Sequence, residues 1–296
     1  MTPALLVTLL GISAALAWGI SDFFAAKSAK AVGPILASAL VNILGILVFV
    51  IVYVLFLHPN IEITKTAIVF AASSGVFLAL GAVSFFIGLG AGPVSLVSPI
   101  SSTYPLVTTL LALAVFHAHL TAREMVGIFL VVLGITAASG LLSLQKSKRK
   151  VTKGPAFALL AALGWGIGFA LLAQAINRAD WKIVSIVEFA LVTVTFLILV
   201  PLIKGDEVIS RSTIYKGLRN KFVIGASIIQ LLGVLALNVG ISKSAATGGA
   251  VIIAISAVYP VLTIFLALKH FNERVKFIPL LGAFLGIAGV VVLSLG

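Results

Sequence analysis

A chain of 296 residues that is 61% hydrophobic and only 9% charged lacks the polar residues needed to cover a water-facing surface, since soluble domains give about a quarter of their positions to charge. The absence of cysteine excludes disulfides, thiolate metal sites and cysteine nucleophiles. The net charge of +12 is carried by basic residues in short loops, which points to membrane topology and anionic headgroups rather than to nucleic acid.

Apolar runs of about 20 residues, bounded by charge or turn signals, are what a bilayer requires of a spanning helix. Ten occur, at 4–26, 34–57, 66–90, 93–116, 121–144, 154–177, 182–203, 222–243, 247–268 and 275–295. The first has no Lys or Arg before it and is longer than a signal-peptide core, so it is expected to stay as helix 1. The expected fold class is all-α integral membrane, in which little chain is left for a soluble domain.

The runs repeat. Leu16–Ala29 aligns with Leu163–Ile176, placing Trp18 over Trp165 and Gly19 over Gly166 at an offset of 147. Tyr104-Pro105 aligns with Tyr259-Pro260, Gly127 with Gly282 and Gly134 with Gly289, at an offset of 155. The growth in offset fits the longer loop from Lys204 to Lys221. The expectation is a first five-helix repeat at 1–144, a basic linker at 145–153 and a second repeat at 154–296. Five is odd, so the second repeat enters the bilayer from the opposite side and the repeats are inverted, as in many secondary transporters. Loops on the side of the termini carry five basic residues (Lys65, Arg123, Arg178, Lys182, Lys243) and the other side carries fifteen, so the charge rule puts the termini outside the cytoplasm.

Candidate chemistry falls inside the spans. Helices 4 and 9 carry Pro99, Pro105 and Pro260, and a proline frees the carbonyl four residues earlier, at Ser95, Ser101 and Ser256. Two readings stand: the serines solvate local kinks, or the bent helices line a wet cavity where hydroxyls meet a solute. Asp22 and Glu188 are intramembrane acids, each either a snorkelling structural carboxylate or a group that binds a proton or a substrate amine. Asn42 overlays Glu188 to within one position, suggesting a shared pocket wall. Gln230, Asn238 and Ser84 read more readily as interhelical contacts. Trp18 and Trp165 lean towards a cavity. The glycines of helices 5 and 10, Gly127, Gly134, Gly282, Gly286 and Gly289, read as close helix packing.

With WG in helices 1 and 6, YP in helices 4 and 9, and Glu273-Arg274 followed by Gly282 and Gly289, the chain resembles the EamA-type branch of the drug/metabolite transporter superfamily over nearly its whole length. The first repeat departs from this pattern with Ala118-His119 in place of the Glu-Arg pair. Asn42 stands where relatives often carry an arginine. The resemblance implies alternating access for small metabolites, often export of amino acids or related compounds, with nucleotide sugars among the cargoes of cousins. It also implies cytoplasmic termini, against the charge count.

The resulting expectation is a multi-pass cell-membrane transporter without cofactor or metal, acting as a monomer or homodimer. Its substrate site is lined by Trp18, Asp22, Asn42, Ser98, Ser102, Tyr104, Trp165, Glu188 and Tyr259. Asp22 and Glu188 are the candidates for proton coupling, and Pro105 and Pro260 are the candidate hinges. A polyanion such as a nucleotide sugar is disfavoured for want of basic residues within the spans. Two rival classes are a membrane enzyme and a scaffold without transport. The first lacks an acid cluster and has its histidines, His58, His117, His119 and His270, at span ends; the second gives no reason for repeated kinked polar helices.

Overall fold

The computed structural model describes residues 2–57, 62–138, 153–203, 209–244, 247, 249–271 and 277–295. Among them there are helices and no strands. In chain order the helices are α1 (Pro3–Val32), α2 (Pro34–Val52, continued by a π turn, Tyr53–Leu57), α3 (Lys65–Ala91), α4 (Val94–Ser101), α5 (Tyr104–Ala114), α6 (Ala122–Ala138) and α7 (Gly154–Ile176). They continue with α8 (Trp181–Ile203), α9 (Arg211–Leu218), α10 (Lys221–Ser242), α11 (Ala250–Ser256), α12 (Pro260–Phe271) and α13 (Phe277–Ser294). Among the described residues, eight spans are long and apolar enough to cross a bilayer; α4 with α5, and α11 with α12, each count as one of them.

The long spanning helices are apolar on nearly every side, so residue size largely decides which face turns inward. In α1 the buried face is Gly11, Ala14, Ala15, Trp18, Gly19, Asp22, Ala25, Ala26 and Ala29, while Leu5, Leu9, Ile12, Leu16 and Ile20 are exposed. Small residues inside let backbones approach, and large ones outside face lipid tails as apolar as themselves. Helix starts are set by local capping. Thr2 and Thr64 accept backbone N–H groups at the heads of α1 and α3, and Gly33, at φ 91°, makes the reversal into Pro34.

The closest pairings cross the two halves of the sequence: α3 lies along α7, α1 along α10, and α6 along α13. In the last pair a Cβ on Gly134 would collide with the backbone of Gly282 and Gly286, and one on Gly282 with Gly134 and Ala137. These glycines are packing residues, as the sequence suggested.

The expected fourth and ninth runs are broken helices, but the break does not fall at Pro99, which remains inside α4. It falls at Ser102-Thr103, just before Tyr104-Pro105, and again at Ala257–Tyr259 before Pro260. Pro105 has no N–H to return to Ser101, so the ladder stops there. The side chains of Ser101, Ser102 and Thr103 instead donate to the carbonyls three residues back, on Ser98, Pro99 and Ile100, at 2.9, 3.0 and 2.8 Å. Ser256 does the same to Ile253 at 2.8 Å. The hydroxyls therefore serve carbonyls three residues before themselves, not the carbonyls beside them.

A short helix, α9, occupies part of the loop expected after helix 7. It is started by a capping box in which Ser210 and Thr213 exchange hydrogen bonds. The linker up to Thr152, residues 139–144 of the fifth run, His58 and the Glu273-Arg274 pair lie outside the described residues.

Candidate functional site

The two broken helices meet in a reciprocal exchange. Tyr104 at the head of α5 reaches Ser256 at the end of α11 (Oη to Oγ, 3.1 Å), and Tyr259 before α12 reaches Ser101 at the end of α4 (3.3 Å). One turn further on, Thr108 donates to the carbonyl of Gly166 at 2.9 Å, and Thr263 to that of Gly19 at 3.3 Å. These glycines follow the two tryptophans. Each indole in turn lies over a glycine that has room for no side chain: Trp165 over Gly81, Trp18 over Gly233. The same contacts are thus made twice, each time between opposite halves of the chain.

This frame brings aromatic rings around a central space. Trp18 stacks on Phe169 at 5.8 Å between centroids and meets Tyr259 edge-on at 6.1 Å; Trp165 meets Tyr104 edge-on at 6.2 Å. The cavity is walled by α1, α3, α7 and α8, with Asn42 from α2, Gln230 from α10, and the two tyrosines completing it. The space between atoms is about 850 Å³, part of it continuous with the outside.

Of the residues expected at the site, Trp18, Asp22, Asn42, Tyr104, Trp165, Glu188 and Tyr259 line this cavity. Ser98 and Ser102 do not. Ser102 is fully buried and bonded to Pro99, while Ser98 stands behind the wall and donates its hydroxyl to Asp22 Oδ2. Pro105 and Pro260 start the second halves of the broken helices, beside the cavity rather than in it. Of the lesser candidates, Gln230 donates to Asn42 Oδ1 at 3.4 Å, Asn238 donates to Ser185 Oγ at 2.8 Å, and Ser84 lies outside the lining. Phe169, Thr108 and Thr263 went unnoticed. The two threonines share the 155-residue offset of Tyr104 and Tyr259 and were findable from it.

The two acids differ in their surroundings. Asp22 Oδ2 accepts from Ser98, and the Thr263 hydroxyl, shared with the carbonyls of Gly19 and Tyr259, lies 3.3 Å away, so α1, α4 and α12 meet at one oxygen. Glu188 is 2% exposed and its Oε2 has no hydrogen-bond partner. No Lys, Arg or His lines the cavity, and no ion pair to either acid is found among the described residues. His117, His119 and His270 are exposed, and the described residues contain no cluster of three or more His, Asp or Glu suited to a metal.

Comparison with known proteins agrees with this architecture. A solved structure with 17% identity superposes with a TM-score of 0.68 over 98% of this chain and 96% of its own, which speaks to the fold. A protein of Archaeoglobus fulgidus named "Uncharacterized transporter" is 26% identical over 297 residues, covering 98% of this chain and 99% of the relative. An uncharacterized protein of Methanocaldococcus jannaschii is 33% identical over 132 residues, which are 44% of this chain but 94% of that relative. The EamA-like transporter family matches residues 5–140 and again residues 152–295, so the chain belongs to that family of membrane transporters.

Proposed function

We propose that the chain is a secondary carrier that moves a small polar or amphipathic metabolite across the cell membrane by alternating access, in the direction of export. The observation that carries this reading is the cavity walled by α1, α3, α7 and α8 and completed by the tyrosines at the two helix breaks, with polar groups and aromatic rings from both halves converging on it. Irregular backbone is tolerated at membrane depth where it lines such a space.

In this reading the chain has ten spanning helices in two inverted repeats, α6 and α13 supplying the two beyond the eight spans. The relative that 44% of this chain nearly covers supports treating half the chain as a unit. The reciprocal tyrosine and threonine bonds allow one half to rock against the other about Pro105 and Pro260, exchanging one set of similar contacts for another.

Counterflow tests the reading. Proteoliposomes are loaded in turn with unlabelled amino acids, amines or sugars and given the same labelled compound outside. At least one class should enter saturably and faster than into empty liposomes. No saturable exchange with any class would refute the carrier.

A further inference from the structure

Among the described residues, two acids and no Lys, Arg or His line the cavity, and Asp22 is the better served of the two acids. Asp22 Oδ2 takes the hydroxyls of Ser98 and Thr263. Glu188 Oε2 takes nothing, and neither does Oδ1 of the neighbouring Asn238, which is itself fully buried. The Asn238 amide nitrogen is committed to Ser185 Oγ, which donates in turn to the carbonyl of Trp181 at 2.7 Å. Neighbouring side chains on α8 and α10 thus present acceptors without a donor, in a setting where each unmet polar group is costly.

We propose that this spot seats the ammonium group of an organic amine, with the amine's apolar or aromatic body among Trp18, Trp165, Phe169 and Phe189; the proposal rests on the carrier reading above. An ammonium brings three N–H donors and no acceptor, the complement of the Glu188 carboxylate in the cavity wall, with the Asn238 oxygen standing behind it. Indole and phenyl faces add attraction for a cation. A zwitterionic amino acid fits less well. Its carboxylate would find no Lys, Arg or His among the described lining residues and would add a third negative group beside Asp22 and Glu188. The cavity thereby departs from the amino-acid cargo that family resemblance suggested.

The test is ligand binding to the purified full-length protein, read by tryptophan fluorescence, to which Trp18 and Trp165 contribute from the cavity and Trp181 from outside it, and by thermal stabilisation. Four probes separate the possibilities: phenethylamine, phenylalanine, 2-phenylethanol and sodium chloride. The amine should bind at least tenfold more tightly than phenylalanine or 2-phenylethanol. Glu188→Gln should lower amine affinity at least tenfold and leave 2-phenylethanol unchanged, with gel filtration and circular dichroism confirming the fold. Wild-type selectivity needs no variant and stands as a second readout. Phenylalanine binding as tightly as the amine, equal stabilisation by sodium ion, an indifferent Glu188→Gln, or no binding of the amine would each overturn the proposal. Selective amine binding without counterflow would sink the carrier and keep the site; counterflow of phenylalanine would keep the carrier and remove the amine assignment.

Discussion

Removing the Ser98 hydroxyl tests whether Asp22 is held as a carboxylate by donors from other helices. Ser98 is fully buried and Asp22 is 7% exposed, so the bond between them is shielded from water. Hydrogen bonds to charged groups contribute about 1.5–3 kcal/mol, against about 0.5–1.5 for neutral ones. Thr263 is a weaker second donor, because its hydroxyl lies 3.3 Å from three acceptors at once, on Gly19, Asp22 and Tyr259. Ser98→Ala should therefore cost about 2 kcal/mol and Thr263→Val under about 1 kcal/mol, by equilibrium unfolding in micelles followed by tryptophan emission. In an Asp22→Asn background the Ser98→Ala cost should shrink to about 1 kcal/mol, leaving a coupling of about 1 kcal/mol in the double-mutant cycle. A cost equal in both backgrounds would refute the argument that a carboxylate at position 22 is the acceptor.

Further outcomes follow from the same contacts. Tyr104→Phe and Tyr259→Phe each remove one bond of the reciprocal exchange and should destabilise the protein similarly, by about 1 kcal/mol, in the same unfolding assay. Gly233→Ala places a methyl against the Trp18 indole and should shift its emission and weaken ligand binding, whereas Gly225→Ala, beside Phe24 and away from the cavity, should not. Gly134→Leu forces α6 away from α13, where backbone meets backbone, and should abolish recovery of folded protein by gel filtration. Pro105→Ala and Pro260→Ala should slow counterflow more than they weaken binding, since both stand at helix breaks and neither lines the cavity.

Much of the frame was legible because membrane burial leaves a simple trace. Apolar runs mark the spans, and a feature that recurs at a fixed offset marks what both halves need: Trp18 with Trp165, Tyr104 with Tyr259. What the offset could not say was whom each group would meet. The serines from Ser98 to Ser102 left two readings open, kink solvation or cavity hydroxyls; Ser101, Ser102 and Thr103 turn back on their own backbone and Ser98 serves Asp22. Asn238 read as a contact between helices, which it is through Ser185; that its other atom lacks a partner beside Glu188 is a fact of three dimensions. Phe169 carried no signal, since phenylalanine is ordinary in a membrane helix. The start of α9 did carry one, the Ser210 to Thr213 spacing, masked by the charges around it.

The chain has no cysteine, so a single introduced thiol reports its own position. Ala25 and Leu172 both line the cavity late in α1 and α7, helices that run oppositely if the halves are inverted, so the two positions stand towards opposite membrane faces. Ala25→Cys and Leu172→Cys variants in sealed proteoliposomes, treated with a membrane-impermeant maleimide, measure access to the cavity from each side. The account predicts that a transported solute moves the two labelling rates in opposite directions. Rates that stay constant, or that rise or fall together, would contradict a cavity opened alternately to the two sides.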